Sequence, residues 1–172
     1  MAEQNIERVV VAFPEALTQT FVDDLRTLYD PLALVLKPHI TFVFPFTSSL
    51  TTASLREFLI TTLAGFRPLP VRLDGVTAHG EYLFLNVKRG NDDLIALHDA
   101  LYGVPLAPFL DPEYTYVPHV TLGVVPERPA RLQALAQAHR VSQPLELVLR
   151  QLTLLRKRPD GQRETELVLG LD

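Results

Sequence analysis

The chain contains no cysteine, which excludes disulfides, thiolate metal sites and a cysteine nucleophile. That fits a reducing compartment, and a cytoplasmic location is the expectation. No apolar run approaches the roughly 20 residues that a membrane-spanning helix needs, so no membrane partner is expected. The opening "MAEQNIERVVVAFP" is polar and acidic before its apolar run, unlike a secretory leader. There is no low-complexity stretch and no block of like charge. Gly-rich phosphate loop, Gly-x-Ser-x-Gly and dinucleotide fingerprint are all missing, which disfavours nucleotide triphosphatases, serine hydrolases and dehydrogenases. Basic excess is also lacking: 16 Lys and Arg stand against 20 Asp and Glu, for a net charge of −4. Such a chain does not coat nucleic acid through bulk electrostatics, although a local basic pocket for one or two phosphates stays open.

What is present suits a folded enzyme-sized unit. The 172 residues, 47% of them apolar, are enough for one domain or for one domain of two similar lobes. Residues 6–13, rich in β-branched side chains, predict a strand ended by Pro14. Leu17, Phe21, Leu25 and Leu28 recur at helical spacing up to Asp30-Pro31. A strand through His39 to about Phe44 follows. A second helix has Ser54 and Glu57 as a capping box and Leu55, Leu59 and Leu63 inward. Two strands flank an Ala78-His79-Gly80 turn. A helix over 92–102 buries Leu94, Leu97 and Leu101, and a proline-rich connection leads to a strand through His119. A fourth helix, about 129–139, is expected to bury Leu132 and Leu135. Strands "LELVLRQLTLL" and "TELVLGL" close the chain around Pro159-Asp160-Gly161.

Two stretches share a pattern: "KPHITFVFPF" at 37–46 and "VPHVTLGVVP" at 117–126. Each reads Pro-His-β-branched-Thr-apolar. Side chains two apart on a strand share a face. His39, Thr41 and Val43 are therefore expected on one face, with Ile40, Phe42 and Phe44 in the core. His119, Thr121 and Gly123 repeat the arrangement, and Gly123 is expected to leave open space beside the dyad. One His-x-Thr is commonplace. With ordinary usage of Pro, His and Thr, one Pro-His-[Ile/Val]-Thr arises in roughly one chain in several hundred. Two copies point to function.

The order His-x-Thr strand, helix, two strands recurs, with His119 lying 80 residues after His39. This predicts one bilobal domain over 1–172, with lobe one at about 35–103 and lobe two built from about 1–34 plus 104–172. The fold class is α+β: two pseudo-symmetric lobes, each an antiparallel sheet with helices on its outer side. A central groove carries the two His-x-Thr strands.

Paired imidazoles meet the needs of displacement at phosphorus. One neutral His accepts a proton from the attacking oxygen while a second, protonated His supplies one to the leaving oxygen. The threonine hydroxyls donate to non-bridging oxygens. Lys37 has the parity of His39 and is read as charge at the groove rim. Tyr114 and Tyr116, in the loop before His119, are read as base-stacking candidates. "RKR" at 156–158 is read as a solvated hairpin end, and His79, His98 and His139 as structural. Two other readings compete: a non-catalytic module binding a nucleotide or an RNA end in the same groove, and a metal-dependent hydrolase. The latter ranks last, because neither motif has a third ligand at suitable spacing.

At "PHITFVFPF" and "PHVTLGVV" the chain resembles the 2H phosphoesterases, and within them the bacterial RNA 2′,3′-cyclic phosphodiesterases, also called 2′-5′ RNA ligase-like proteins. The opening strand ending in Pro14 and the strand-turn-strand close at 145–170 fit the same family. The first motif continues Phe42-Val43-Phe44, where the ligase-named branch tends to have Leu and then Phe-Leu-Gly. The resemblance implies a two-lobed α+β fold with a central groove and no cofactor or metal. It implies His39 and His119 as the catalytic pair and Thr41 and Thr121 as phosphate ligands. Lys37 and Tyr116 complete the candidate substrate contacts. The implied reaction is hydrolysis of a cyclic phosphodiester at an RNA terminus or on a small cyclic nucleotide, with 2′-5′ ligation as a related activity; a monomer is expected.

Overall fold

The computed structural model describes residues 5–172. Residues 1–4, which begin the polar opening and the second expected lobe, lie outside the described residues. The strands are β1 (Ile6–Ala12), β2 (Ile40–Ser48), β3 (Leu69–His79), β4 (Tyr82–Arg89), β5 (His119–Val124), β6 (Leu145–Leu149), β7 (Gln151–Lys157) and β8 (Arg163–Gly170). The helices are α1 (Phe21–Tyr29), α2 (Thr52–Leu63), α3 (Asn91–Leu101) and α4 (Arg128–Val141). All strands join one sheet in the order β6-β3-β4-β5-β2-β1-β7-β8. Every pairing is antiparallel. β6 and β7 are separated only by Arg150, yet they are the first and seventh strands of the sheet. Six flat inter-strand spacings would hold them about 29 Å apart. A single residue cannot span that, so the sheet curls.

The sheet has two halves. One is β2-β1-β7-β8, with α2 against β8 and α3 against β2; the other is β5-β4-β3-β6, with α1 against β5 and α4 against β3. This is the two-lobed α+β arrangement expected. The expected chain boundaries are corrected. β2 leaves the segment 35–103 to pair with β1, while β3 and β4 join β5 and β6. The last long strand is also two, because the chain crosses between halves at Arg150. The repeat that emerges is β1-α1-β2-α2-β3 followed by β4-α3-β5-α4 and then β7, with the third strand of each repeat placed in the opposite half. Cross-strand burial decides partners, and local periodicity along the chain does not encode it.

One hydrophobic core runs through both halves. Leu55, Leu59 and Leu63 of α2 and Leu94, Leu97 and Leu101 of α3 point into it, as their spacing predicts. α2 is capped by Thr51, not Ser54, because the Ser54 amide donates to Thr51 Oγ1 at 3.1 Å. α4 buries Ala134 and Ala138 while Leu132 is exposed. α4 packs on β3 and also reaches α1, where Tyr29 Oη donates to Gln137 Oε1. Leu28 of α1 is likewise exposed, and Leu17 reaches the core from a short 3-10 turn ahead of the helix. A buried ion pair ties the first half together: Arg8 on β1 donates through Nε to Glu166 on β8 at 2.7 Å. Thr52, at the start of α2, shares that carboxylate.

Matching bulges follow the two motifs. Val11 pairs with Thr41 but Val10 with Val43, leaving Phe42 as an extra residue. Phe84 pairs with Thr121 but Leu83 with Gly123, leaving Leu122 extra. Each bulge reverses the alternation. Val43 and Gly123, expected beside the histidines, turn to the core, and Phe44 is exposed. Gly123 opens no pocket. A Cβ there would lie 2.4 Å from Tyr29 Cβ and 2.9 Å from the Tyr29 carbonyl oxygen. The glycine is what lets the end of α1 lie on β5. Gly123→Ala is expected to cost about 1–3 kcal/mol through overpacking. In urea unfolding this would appear as a lower midpoint at unchanged slope.

Candidate active site

Proline precedes each histidine and biases the residue before it toward extended backbone. The ring then folds back on that residue's carbonyl. His39 Nδ1 lies 2.8 Å from the Lys37 carbonyl oxygen, and His119 Nδ1 lies 2.7 Å from that of Val117. A carbonyl only accepts, so Nδ1 carries the proton in both rings and Nε2 is left free. The same local geometry thus fixes one tautomer twice.

β2 and β5 meet at a single bridged pair, Ile40 with Val120. Both of these side chains are fully buried. The residues on either side therefore point to the opposite face of the sheet, away from the helices. Across the seam His39 lies opposite Thr121, and Thr41 lies opposite His119. The two histidines occupy a diagonal, roughly 7–8 Å apart at the backbone. All four side chains are half-buried.

Each ring has an aromatic neighbour on its outer side. Phe13, at the end of β1, meets His39 edge-on at 5.9 Å, and Phe84 of β4 stacks on His119 at 3.6 Å. Asn86 pairs with His119 in the β4–β5 ladder. Burial lowers the pKa of both imidazoles below its ordinary value. The carbonyl bonds oppose that effect. Around His39, the Arg26 and Arg163 charges push the same way as burial and Asp30 pushes back. His119 is lowered further by His39 and His79. The mutual influence of the two rings is the electrostatic counterpart of their shared face.

Arg26 and Asp30 hold the approach to the first motif. Arg26 is fully buried, yet Nε donates to Asp30 Oδ2 at 2.8 Å and Nη2 to the Leu36 carbonyl at 2.7 Å. Asp30 Oδ1 accepts from the Leu32 amide at 2.9 Å. This clamp pins both ends of segment 31–36, next to the carbonyl that orients His39. Lys37 itself is exposed. It lines, with Phe13, Pro38 and Arg163, a cavity of about 330 Å³ that His39 itself does not line.

Tyr116 is not placed for stacking on a ligand at the histidines. Its hydroxyl donates to the Thr41 carbonyl at 2.9 Å, and its ring lies flat on the buried His98 at 3.8 Å. Burial pushes its hydroxyl well above the ordinary tyrosine value. The residue braces the two motif segments from the core side. Tyr114 is exposed in the loop. Arg156, Lys157 and Arg158 pair with Glu164, Glu7 and Asp160, a solvated hairpin end as read. His139 Nε2 bonds the Val76 carbonyl at 2.7 Å, a structural role. Phe84, Phe13 and the Arg26–Asp30 clamp were not singled out from sequence. The strand "YLFLNV" does carry a signal. Its leucines and valine claim the core face, which commits Tyr82, Phe84 and Asn86 to the other. Among the described residues no group of three His, Asp or Glu is placed to hold a metal ion, and no helix is long and apolar enough to cross a membrane.

Residues 13–161 match the sequence profile of the 2'-5' RNA ligase superfamily. The chain belongs to this superfamily, and with it to the 2H phosphoesterases. A Bacillus pumilus protein provisionally described as a phosphoesterase is 31% identical over 120 residues, which cover 66% of this chain and 67% of that protein. A Geobacillus thermodenitrificans protein with the same description is 30% identical over 120 residues, 66% of each chain. Among solved structures, E. coli LigT in its apo form superposes with a TM-score of 0.63 at 13% identity, covering 98% of both chains. Its complex with 3′-AMP gives 0.61 at 14% identity, covering 98% of this chain and 99% of that one. At such identity the likeness is one of fold. Membership supports phosphoesterase or RNA-ligase-like chemistry.

Arg26→Gln would leave the buried Asp30 carboxylate unpaired and the Leu36 carbonyl with a weaker donor. The expected loss is about 3–5 kcal/mol of unfolding free energy, read from chemical denaturation at neutral pH.

Proposed function

We propose that the chain hydrolyses a 2′,3′-cyclic phosphodiester, on an RNA end or a small nucleotide, by paired-histidine acid–base catalysis. The observation that carries this reading is the Ile40–Val120 bridge, which sets two histidines and two threonines around one patch of the open sheet face. Both rings keep Nε2 free, because Nδ1 is committed to a backbone carbonyl. A phosphate over the patch meets an imidazole at each end of the diagonal and a threonine hydroxyl at each end of the other.

In the reaction a neutral His Nε2 takes a proton from water as the water oxygen bonds to phosphorus. The opposite imidazolium gives its proton to the ribose oxygen as the phosphorus–oxygen bond breaks. The product is a 2′- or 3′-phosphomonoester. Thr41 and Thr121 donate to the non-bridging oxygens, where charge builds in the transition state. With a 5′-hydroxyl in place of water as the attacking oxygen, the same ring opening, with the P–O bond to the 3′-oxygen broken, gives 2′-5′ joining. Proton traffic between two imidazoles asks for no metal or organic cofactor. Lys37 adds positive charge on the His39 side, where Arg163 is paired with Glu7.

The test is turnover of 2′,3′-cyclic AMP. His39→Ala and His119→Ala are each expected to lower kcat at least about 10²-fold, and chelator is expected to leave the wild-type rate unchanged. The active form holds one proton between the two rings. Burial lowers both pKa values below the ordinary 6.5. The bell-shaped kcat/KM profile of this coupled pair should therefore peak below 6.5 and fall as pH rises through it. Nucleotide binding without turnover would identify a binding module, loss of rate in chelator a metal enzyme, and full activity of either alanine variant would remove that histidine from the mechanism.

A further inference from the structure

Beyond His119 the open sheet face continues as an aromatic run. Phe84 stacks on His119 with an interplanar angle of 25°. His79, on β3, lies 6.0 Å from Phe84 at 18°, and Tyr82 lies 5.9 Å from it at 28°. The rings are near-parallel, and they step outward from the catalytic patch along the β3–β4 hairpin. Register puts them there: Thr77 pairs with Phe84 and His79 with Tyr82, so these residues share the face of Thr121 and His119. Leu83, Leu85 and Val87 fill the core face of the same strand. His79 and Tyr82 are exposed, so they contribute little to the core. The turn between them is held by Gly80 at φ +57°. Polar groups border the run: Thr77 Oγ1 donates to Asn86 Oδ1 at 3.2 Å, and Asn86 Nδ2 donates to the Gly75 carbonyl at 3.0 Å.

Resting on the cyclic phosphodiesterase reading, we propose that His79, Tyr82 and Phe84 form the platform on which the substrate's nucleobase stacks. One strand pleat, about 7 Å, separates Tyr82 from Phe84, a step comparable with the span of a ribose between phosphate and base. The exposed rings that end the stack, His79 and Tyr82, suit a purine or pyrimidine and give little sequence selectivity, since every base has a π-face. The platform replaces Tyr116, which is committed to His98 and the Thr41 carbonyl.

The experiment compares 2′,3′-cyclic AMP with ethylene phosphate, a five-membered cyclic phosphodiester that has no base. The quantity read is the ratio of their kcat/KM values in wild type, Tyr82→Ala, Tyr82→Phe and His79→Ala. The ratio should fall about 5- to 100-fold in Tyr82→Ala, fall in His79→Ala, and be retained in Tyr82→Phe, which keeps the π-face. Calorimetric binding of 2′-AMP against inorganic phosphate supplies a second readout that needs no turnover. Weakened 2′-AMP binding in the two alanine variants, with phosphate binding retained, supports the platform even if neither ester is hydrolysed. An unchanged preference for the base-bearing ligand in both alanine variants overturns it. Failure of wild type to hydrolyse either ester counts against the reaction assigned above and leaves the binding result to decide the platform.

Discussion

The Ile40–Val120 bridge is the constraint on which the site depends. Two half-sheets meet there through one paired position, and both side chains are sealed in the core. Strand alternation then obliges the neighbours of each residue to face the other way. Because the strands are antiparallel, each histidine comes to lie opposite the other motif's threonine. The site is therefore symmetric in kind. Its two halves come from strands whose histidines lie 80 residues apart in sequence.

Devices on either side of the bridge keep this patch in shape. Upstream, proline and the carbonyl before it lock each imidazole by its Nδ1. Downstream, a bulge at Phe42 and another at Leu122 turn the strands so that the next residue returns to the core. The surroundings break the symmetry. His39 sits by the Arg26–Asp30 clamp and Arg163, whereas His119 lies under Phe84 with His79 beyond. The two sides of the patch thus offer different chemistry: charged groups around His39, stacked aromatic faces next to His119.

The motif residues were legible because strand parity is local: His39 with Thr41, and His119 with Thr121, needed only alternation over three residues. Inner faces of α2 and α3 were legible for the same reason. Partner choice was not. "LELVLRQLTLL" reads as one strand, and only the closing of a curled sheet separates it at Arg150. The bulges leave no mark in the sequence because an extra residue is invisible where apolar residues are consecutive, as at Phe42-Val43-Phe44. Sequence alone suggests open space at Gly123, whereas its lack of a side chain makes room for Tyr29. Tyr116 is close to the second motif along the chain, yet its ring packs on the core side against His98, since loop direction is not periodic.

The central claim is that two imidazoles, each with Nδ1 protonated and Nε2 free, close on one phosphoryl group. Long-range proton–nitrogen NMR of the histidine rings during a titration with inorganic phosphate tests it most directly. Both His39 and His119 should show the Nδ1–H tautomer when neutral. Both Nε2 signals should then shift together, with one dissociation constant and a stoichiometry of one phosphate per chain. Response of a single ring, or two rings that follow different phosphate concentrations, would contradict the account.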